Sequence, residues 1–139
     1  MARLSTNYVL RSLRLLADLH DGELMTGIVG QAIIAANTAH LDNAADPARR
    51  YAGRDLPPDE MRRPVSVLAL SASLGLPFET TRRHVGKLVS AGACRRVRGG
   101  VIVPAAVLDN PKFLEAAETN LTHVLQFVRG LRRLGLHLG

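Results

Sequence analysis

Length, composition and charge set the first limits on this chain of 139 residues. It is long enough for one domain with its own core, and its hydrophobic share of 47% excludes an intrinsically disordered protein. Its single cysteine, Cys94, excludes an intramolecular disulfide and a cysteine-based structural zinc site.

The N-terminal part indicates a cytoplasmic protein. Residues 1–22 carry arginines within their apolar part and lack a small-residue cleavage site, so they do not resemble a signal peptide. The longest uncharged stretch, 24–41, contains polar residues that are costly in lipid, namely Gln31, Asn37, Thr38 and His40. It is therefore predicted to be a buried helix of a soluble protein, with no membrane partner.

Two helices are predicted in 1–41. Residues 5–20 place Leu10, Leu13, Leu16 and Ala17 on one helical face. Asp21 is predicted to cap a second helix from residue 22 to about 41. That helix is rich in glycine and alanine, which favours tight helix packing, either within the subunit or against another one.

A polar connector is predicted over 42–63. It contains Pro47, Pro57 and Pro58, and a short turn is expected around 58–61. The connector exceeds the usual length of a loop, which is compatible with partial disorder or with a role in holding a partner subunit.

Two consecutive helices are predicted next. Ser66 is expected to cap a helix that ends at Gly75, and a longer helix is expected over about 78–91, ending at Gly92. In the longer helix, helical spacing predicts an inward face of Thr81, Val85 and Leu88. It predicts an outward face of Glu79, Arg83 and Gly86, flanked by Thr80, Arg82 and Lys87.

A β-hairpin and a last helix complete the predicted elements. The hairpin, 93–103, is expected to turn at Gly99-Gly100, with Arg95, Val97 and Ile102 on one face and Arg96, Arg98, Val101 and Val103 on the other.

The last helix is predicted to begin at Asn110-Pro111. Its apolar stripe is predicted to pack against other helices and comprises Leu114, Ala117, Leu121, Val124, Val128 and Leu131, with Leu125 and Leu134.

The positive charge is concentrated in one block. Residues 62–100 contain eight bases and one acid, whereas the rest of the chain contains ten bases and eleven acids. Folding does not require this separation, but binding to a polyanion does.

The segment from Val65 to Pro104, above all "TTRRHVGKLVSAG", resembles the DNA-binding segment of bacterial winged helix-turn-helix regulators. It is similar in pattern to the MarR, ArsR and GntR families. Apolar helices before and after it match the MarR-like order, in which terminal helices build the dimer. The resemblance implies a mainly α fold with a small β-hairpin wing, as one domain over 1–139. In it, a winged helix-turn-helix over 64–104 is flanked by dimerisation helices in 1–41 and 105–139.

The implied function is sequence-specific binding of duplex DNA by a homodimeric transcriptional regulator. The helix over about 78–91 would enter the major groove, and the basic hairpin would be the wing. The candidate DNA-binding residues are Glu79, Thr80, Arg82, Arg83, Lys87, Arg96 and Arg98. Glu79 either accepts from a cytosine amino group or pairs with Arg83, and the ion pair is slightly favoured.

Two alternatives stay open. One is a winged-helix module whose basic block meets RNA or an acidic protein. The other is a ligand-responsive repressor with a small-molecule effector bound between the terminal helices and the winged segment, although no residue indicates a ligand.

Nothing in the sequence indicates an enzyme, a cofactor or a metal site. There is no phosphate-binding glycine loop, no nucleophile elbow and no pair of carboxylates placed for acid–base chemistry. The five histidines show no metal-ligand spacing, and for His84 we expect a role in packing or phosphate contact. Cys94 is interpreted as a small core residue rather than a redox sensor.

Overall fold

A computed structural model describes residues 1–41 and 56–136. Most of the predicted connector, 42–55, lies outside the described residues. Its last part contains the expected turn, which is a short 3-10 helix over Asp59–Met61.

The described part of the chain is mainly helical with one small antiparallel hairpin, which confirms that part of the predicted fold class. In chain order, the elements are α1 (Ala2–Leu19), α2 (Leu24–Thr38, followed by a 3-10 turn over Ala39–Leu41), α3 (Val67–Leu74), α4 (Phe78–Ser90), β1 (Arg95–Val97), β2 (Gly100–Ile102), α5 (Ala105–Leu108) and α6 (Pro111–Arg133). The chain divides into two compact units. The terminal unit combines Met1–Leu24 with the residues from Pro111 onward, and the central unit is Met25–Asn110.

In the terminal unit, α1 and α6 pack as an antiparallel pair. The rings of Tyr8 and Phe127 stack with centroids 5.1 Å apart, and those of His20 and Phe113 meet edge to face at 6.3 Å. The two helices nevertheless enclose little: α1 contains no buried residue, and in α6 only Leu131 is buried.

The sequence prediction for the start of α2 is wrong. Asp21 does not cap α2, because it lies in a left-handed turn with φ 54°, and α2 begins at Leu24. The predicted packing of the α6 stripe is confirmed in part, since Leu131 is buried and Val124 and Val128 are half-buried. Leu114, Leu121, Leu125 and Leu134 are between 44% and 57% exposed, and on α1 Leu10 is 60% exposed.

The core of the central unit lies between α2, α3, α4 and the hairpin. Its buried side chains are Val29, Ile33, Leu70, Val85, Leu88, Cys94, Val101 and Val103. By length and composition, Leu24–Leu41 is the one stretch in the described part of the chain that could span a membrane, a test that the core helix of a soluble protein also passes. Val29 and Ile33 of this stretch are fully buried in the core, as predicted for a buried helix.

Asn37 ties α2 to the hairpin. Its fully buried side chain donates from Nδ2 to the carbonyls of Arg63 (2.7 Å) and Val101 (3.1 Å), and its Oδ1 accepts from the Val103 N–H (2.9 Å). The Val103 N–H finds its buried acceptor in Asn37, whereas the Val101 carbonyl also accepts from the Val65 N–H.

Local sequence signals fix the ends of α3 and α4. The Ser66 hydroxyl accepts from the Ala69 N–H at 3.1 Å, and Gly75 ends α3 with φ 66°. α4 follows directly after Pro77, and Gly92, with φ 77°, comes shortly after its end. The predictions for both helices are confirmed to within one residue.

The hairpin keeps the predicted faces for the residues within its strands but has a different turn, and Arg98 and Val103 lie outside both strands. Arg95 pairs with Ile102, Arg96 with Val101 and Val97 with Gly100, so the two-residue turn is Arg98-Gly99 and not Gly99-Gly100. Gly100 is instead the first residue of β2, with φ 147°.

The reason for a glycine at position 100 is the neighbouring backbone of Val65. Val65 and Val101 exchange two backbone hydrogen bonds of 3.1 and 3.0 Å, which place Val65 on the open edge of β2. A Cβ at Gly100 would lie 2.1 Å from the Val65 carbonyl oxygen, which leaves no space for a side chain.

Candidate nucleic-acid interface

α4 presents two different faces, as the sequence predicted. Thr81, Val85 and Leu88 are at most 2% exposed and point into the core, together with His84 at 8%. The opposite face carries the exposed side chains of Glu79, Arg82, Arg83 and Lys87, while Thr80 is half-buried. One side of α4 is therefore fixed by packing, and the other offers charged groups to solvent.

Hydrogen bonds reinforce the buried side. Thr26 Oγ1 lies 2.9 Å from His84 Nδ1, which joins α2 to α4 within the core. The Thr81 hydroxyl donates to the Pro77 carbonyl at 3.1 Å, and the Thr81 N–H donates to the same oxygen. Pro77 provides no side-chain cap, but its carbonyl anchors the first turn of α4.

The outer face carries an ion pair that differs from the expected one. Glu79 pairs with Arg82, not with Arg83: Arg82 Nη2 is 2.9 Å from Glu79 Oε2, and Arg82 Nε donates to both carboxylate oxygens at 3.1 Å. Two nitrogens of the guanidinium thus face one carboxylate, a geometry that favours this pair. The hydrogen bond from Arg82 lowers the pKa of Glu79, and Glu79 raises the pKa of Arg82.

Gly86 lies on the same outer face, one turn after Arg82 and Arg83. Within the described residues, a Cβ added at this position would meet no atom closer than 4 Å. Its φ is not positive, and it is in the helix interior. Glycine there costs up to about 1 kcal/mol relative to alanine, so the fold itself gives no reason for it.

The hairpin adds Arg96 and Arg98, which are both exposed; Arg98 lies in the turn. Its third arginine, Arg95, forms a salt bridge, in which its Nη2 lies 3.3 Å from Asp59 Oδ2. The other oxygen of Asp59 accepts from the Ala105 N–H at 2.9 Å. Sequence reasoning missed Asp59, since its partners follow it by 36 and 46 residues.

The surface is less basic than the charge count of the block suggested. Arg62 is 5% exposed and lies 3.8 Å from Asp59, and its guanidinium has no hydrogen-bond partner within the described residues. Burial lowers the pKa of Arg62, and the negative charge of Asp59 acts in the opposite direction. Arg82 and Arg95 have acidic partners. All bases of the block except Arg62 are exposed, namely Arg63, Arg82, Arg83, Lys87, Arg95, Arg96 and Arg98.

Cys94 belongs to the core. It is 5% exposed, and burial raises the pKa of its thiol to about 11. A redox sensor needs an accessible thiolate, so the geometry favours the structural role over the sensor that the neighbouring Arg95 and Arg96 suggested.

No group of three histidine, cysteine or acidic side chains in 1–41 and 56–136 is placed to hold a metal ion. Of the predicted residues of α4, Glu79, Arg82, Arg83 and Lys87 lie together on one exposed face, and Thr80 is half-buried. Arg96 lies on an exposed strand of the hairpin and Arg98 in its turn. Comparisons of the chain with protein-family models, with curated proteins and with solved structures gave no match.

Proposed function

We propose that this protein is a cytoplasmic transcriptional regulator of the bacterial winged helix-turn-helix type that binds duplex DNA as a homodimer. The observation that carries the proposal is the division of α4 into a buried face and a cationic outer face. The order of the elements supports the proposal. A helix, a glycine turn, a second helix and a hairpin follow one another, and Val65 lies on the open edge of β2.

The chemistry of the outer face suits the major groove. The groove admits one α-helix, and DNA presents one negative charge per about 1.7 Å of duplex axis. Arg83 is exposed and can donate to two acceptors on guanine, whereas Lys87 suits phosphate oxygens. Arg96 and Arg98 of the hairpin would meet the neighbouring backbone or minor groove.

Arg82 has a different role in this proposal. Glu79 already occupies its Nε and Nη2, so Arg82 can meet DNA fully only when this exposed ion pair opens. The Glu79 carboxylate therefore competes with DNA for Arg82 and adds a negative charge to the face that would meet phosphates.

The homodimer is proposed from the terminal unit. A pair of helices with one buried side chain between them has no core of its own, and a second copy would cover the exposed leucines of α1 and α6. Two copies would then read half-sites about 10 base pairs apart. Sedimentation of a monomer at micromolar concentration would contradict this part of the proposal.

Titration with random duplex DNA at two salt concentrations tests the function. We expect binding that weakens steeply as salt rises, since arginine and lysine displace counterions from phosphates. Arg83→Ala should weaken binding, whereas Arg14→Ala also removes an exposed charge, but from the terminal unit, and should leave binding nearly unchanged. Absence of binding by the unmodified chain at low salt would refute the proposal. It would favour the alternative in which the basic block binds RNA or an acidic protein.

A further inference from the structure

Gly86 lies at the centre of the outer face of α4. Residues three and four positions apart are neighbours on a helix, so Gly86 follows Arg82 and Arg83 by one turn and precedes Ser90 by one turn. The cationic face therefore has a gap without a side chain in its middle.

None of the usual structural reasons for a glycine applies to Gly86 within the described residues. No turn or helix end lies at position 86, its φ is not positive, and no atom lies within 4 Å of an added Cβ. This distinguishes it from Gly100, where the Val65 backbone excludes a side chain. A glycine that destabilises its own helix without filling a structural need points to a requirement outside the free chain.

The dimensions of the proposed complex supply such a requirement. A helix with its side chains is about 10–12 Å across, and the major groove is about 12 Å wide. A helix with its side chains therefore nearly fills the groove, and at the point of closest approach a side chain keeps the helix backbone away from the base edges. A glycine there lets the helix backbone approach the duplex, so that the arginines one turn before it reach further into the groove.

We infer that Gly86 is the point where the backbone of α4 contacts duplex DNA, and that the missing side chain sets how deeply the helix enters the major groove. The inference rests on the proposed function. It assigns Gly86 to the interface as a contact residue, although it offers no charge and no side-chain hydrogen bond.

The experiment compares Gly86→Ala and Gly86→Met in the full chain, with Ser73→Ala as control. Alanine and methionine are both good helix formers, so both variants should be more stable than the original chain, but they differ in volume. Ser73 is exposed on α3 and its change also favours helix without altering α4. Urea unfolding reports stability, and titration with duplex DNA at fixed salt reports affinity.

We expect Gly86→Ala to weaken DNA binding about tenfold and Gly86→Met about a hundredfold or more, with Ser73→Ala unchanged. Equal losses for alanine and methionine would mean that helix rigidity matters and not space, and would overturn the inference. Unchanged affinity in both variants would also overturn it while leaving DNA binding established. Failure of the unmodified chain to bind DNA would refute the proposed function and this inference together.

Discussion

Oδ1 of Asn37 in α2 accepts a hydrogen bond of 2.9 Å from the backbone N–H of Val103, which follows it by 66 residues. The same side chain also donates to the carbonyls of Arg63 and Val101. The position of the hairpin relative to α2 therefore depends on one buried amide.

Asn37→Ala should lower the free energy of unfolding by about 1–3 kcal/mol, because the Val103 N–H would lose its acceptor and a buried donor without a partner costs about that much. Urea unfolding followed by circular dichroism measures the effect. Gln31→Ala, an exposed change on the same helix, should stay within about 0.5 kcal/mol of the original chain. A loss no larger than that of the control would contradict the role given to Asn37.

Gly100→Ala should be strongly destabilising, since the new methyl group would overlap the Val65 carbonyl. We expect a loss of about 3 kcal/mol or more, made up of backbone strain and the break of the Val65–Val101 bridge. Gly99→Ala is the matched control, because φ is also positive there but the nearest atom, Pro64 Cβ, is 3.7 Å away. Equal losses at both positions would show that strain alone, and not the close approach, requires Gly100.

Glu79→Gln should strengthen DNA binding and make it more sensitive to salt. The change removes a negative charge from the outer face and leaves Arg82 without its anionic partner. If Arg82 then neutralises one more phosphate, the slope of log K against log salt should steepen by about 0.9. Stability should hardly change, because the pair is exposed.

A matched control for this change is Glu115→Gln, which removes an exposed acid from α6. If both variants bind DNA equally well, only net charge matters and the Glu79–Arg82 pair has no special effect.

His20 should make stability fall in mild acid. Burial and, to a smaller extent, Lys112 lower its pKa from the ordinary value of 6.5, while Asp21 and Glu23 act in the opposite direction. The unfolded chain therefore takes up a proton near pH 6.5 that the folded chain resists. This contribution is present above pH 6.5 and is lost as pH falls through the lowered folded pKa.

The test compares the urea midpoint at pH 7.5 and at pH 5.5 for the original chain and for His20→Gln. The variant should lose less stability on acidification than the original chain. The same decrease in both proteins would rule out His20 as the cause.

Cys94 should resist alkylation in the native protein. With a pKa of about 11 and 5% exposure, the thiol is protonated and covered at neutral pH. Iodoacetamide should label it slowly in buffer and rapidly in urea, as followed by mass spectrometry. Equally rapid labelling in both conditions would contradict the buried, structural role of Cys94 and would favour a redox sensor.

The features that the sequence predicted well are those determined by neighbouring residues. Ser66 marks a helix start through its side-chain hydroxyl, Gly75 and Pro111 mark helix ends through their backbone preferences, and the two faces of α4 follow from helical periodicity. Such signals do not depend on the rest of the fold.

The features that it missed depend on residues far away in the chain. The bonds of Asn37 and Asp59 join segments tens of residues apart, and the need for glycine at position 100 comes from Val65 and not from a turn. Similarly, the spacing of apolar residues predicted a stripe on α6, but it could not show that several leucines of this stripe would stay exposed beside α1.

The scarcity of buried side chains between α1 and α6 has a consequence for the dynamics of a single chain. Amides protected by a core exchange with solvent only when that core opens, whereas helices without one open locally at low cost. In an isolated chain, the backbone amides of α1 and α6 would therefore exchange far sooner than those around Ile33 and Val85. Any partner that covers the exposed leucines would slow that exchange most at the two ends of the sequence.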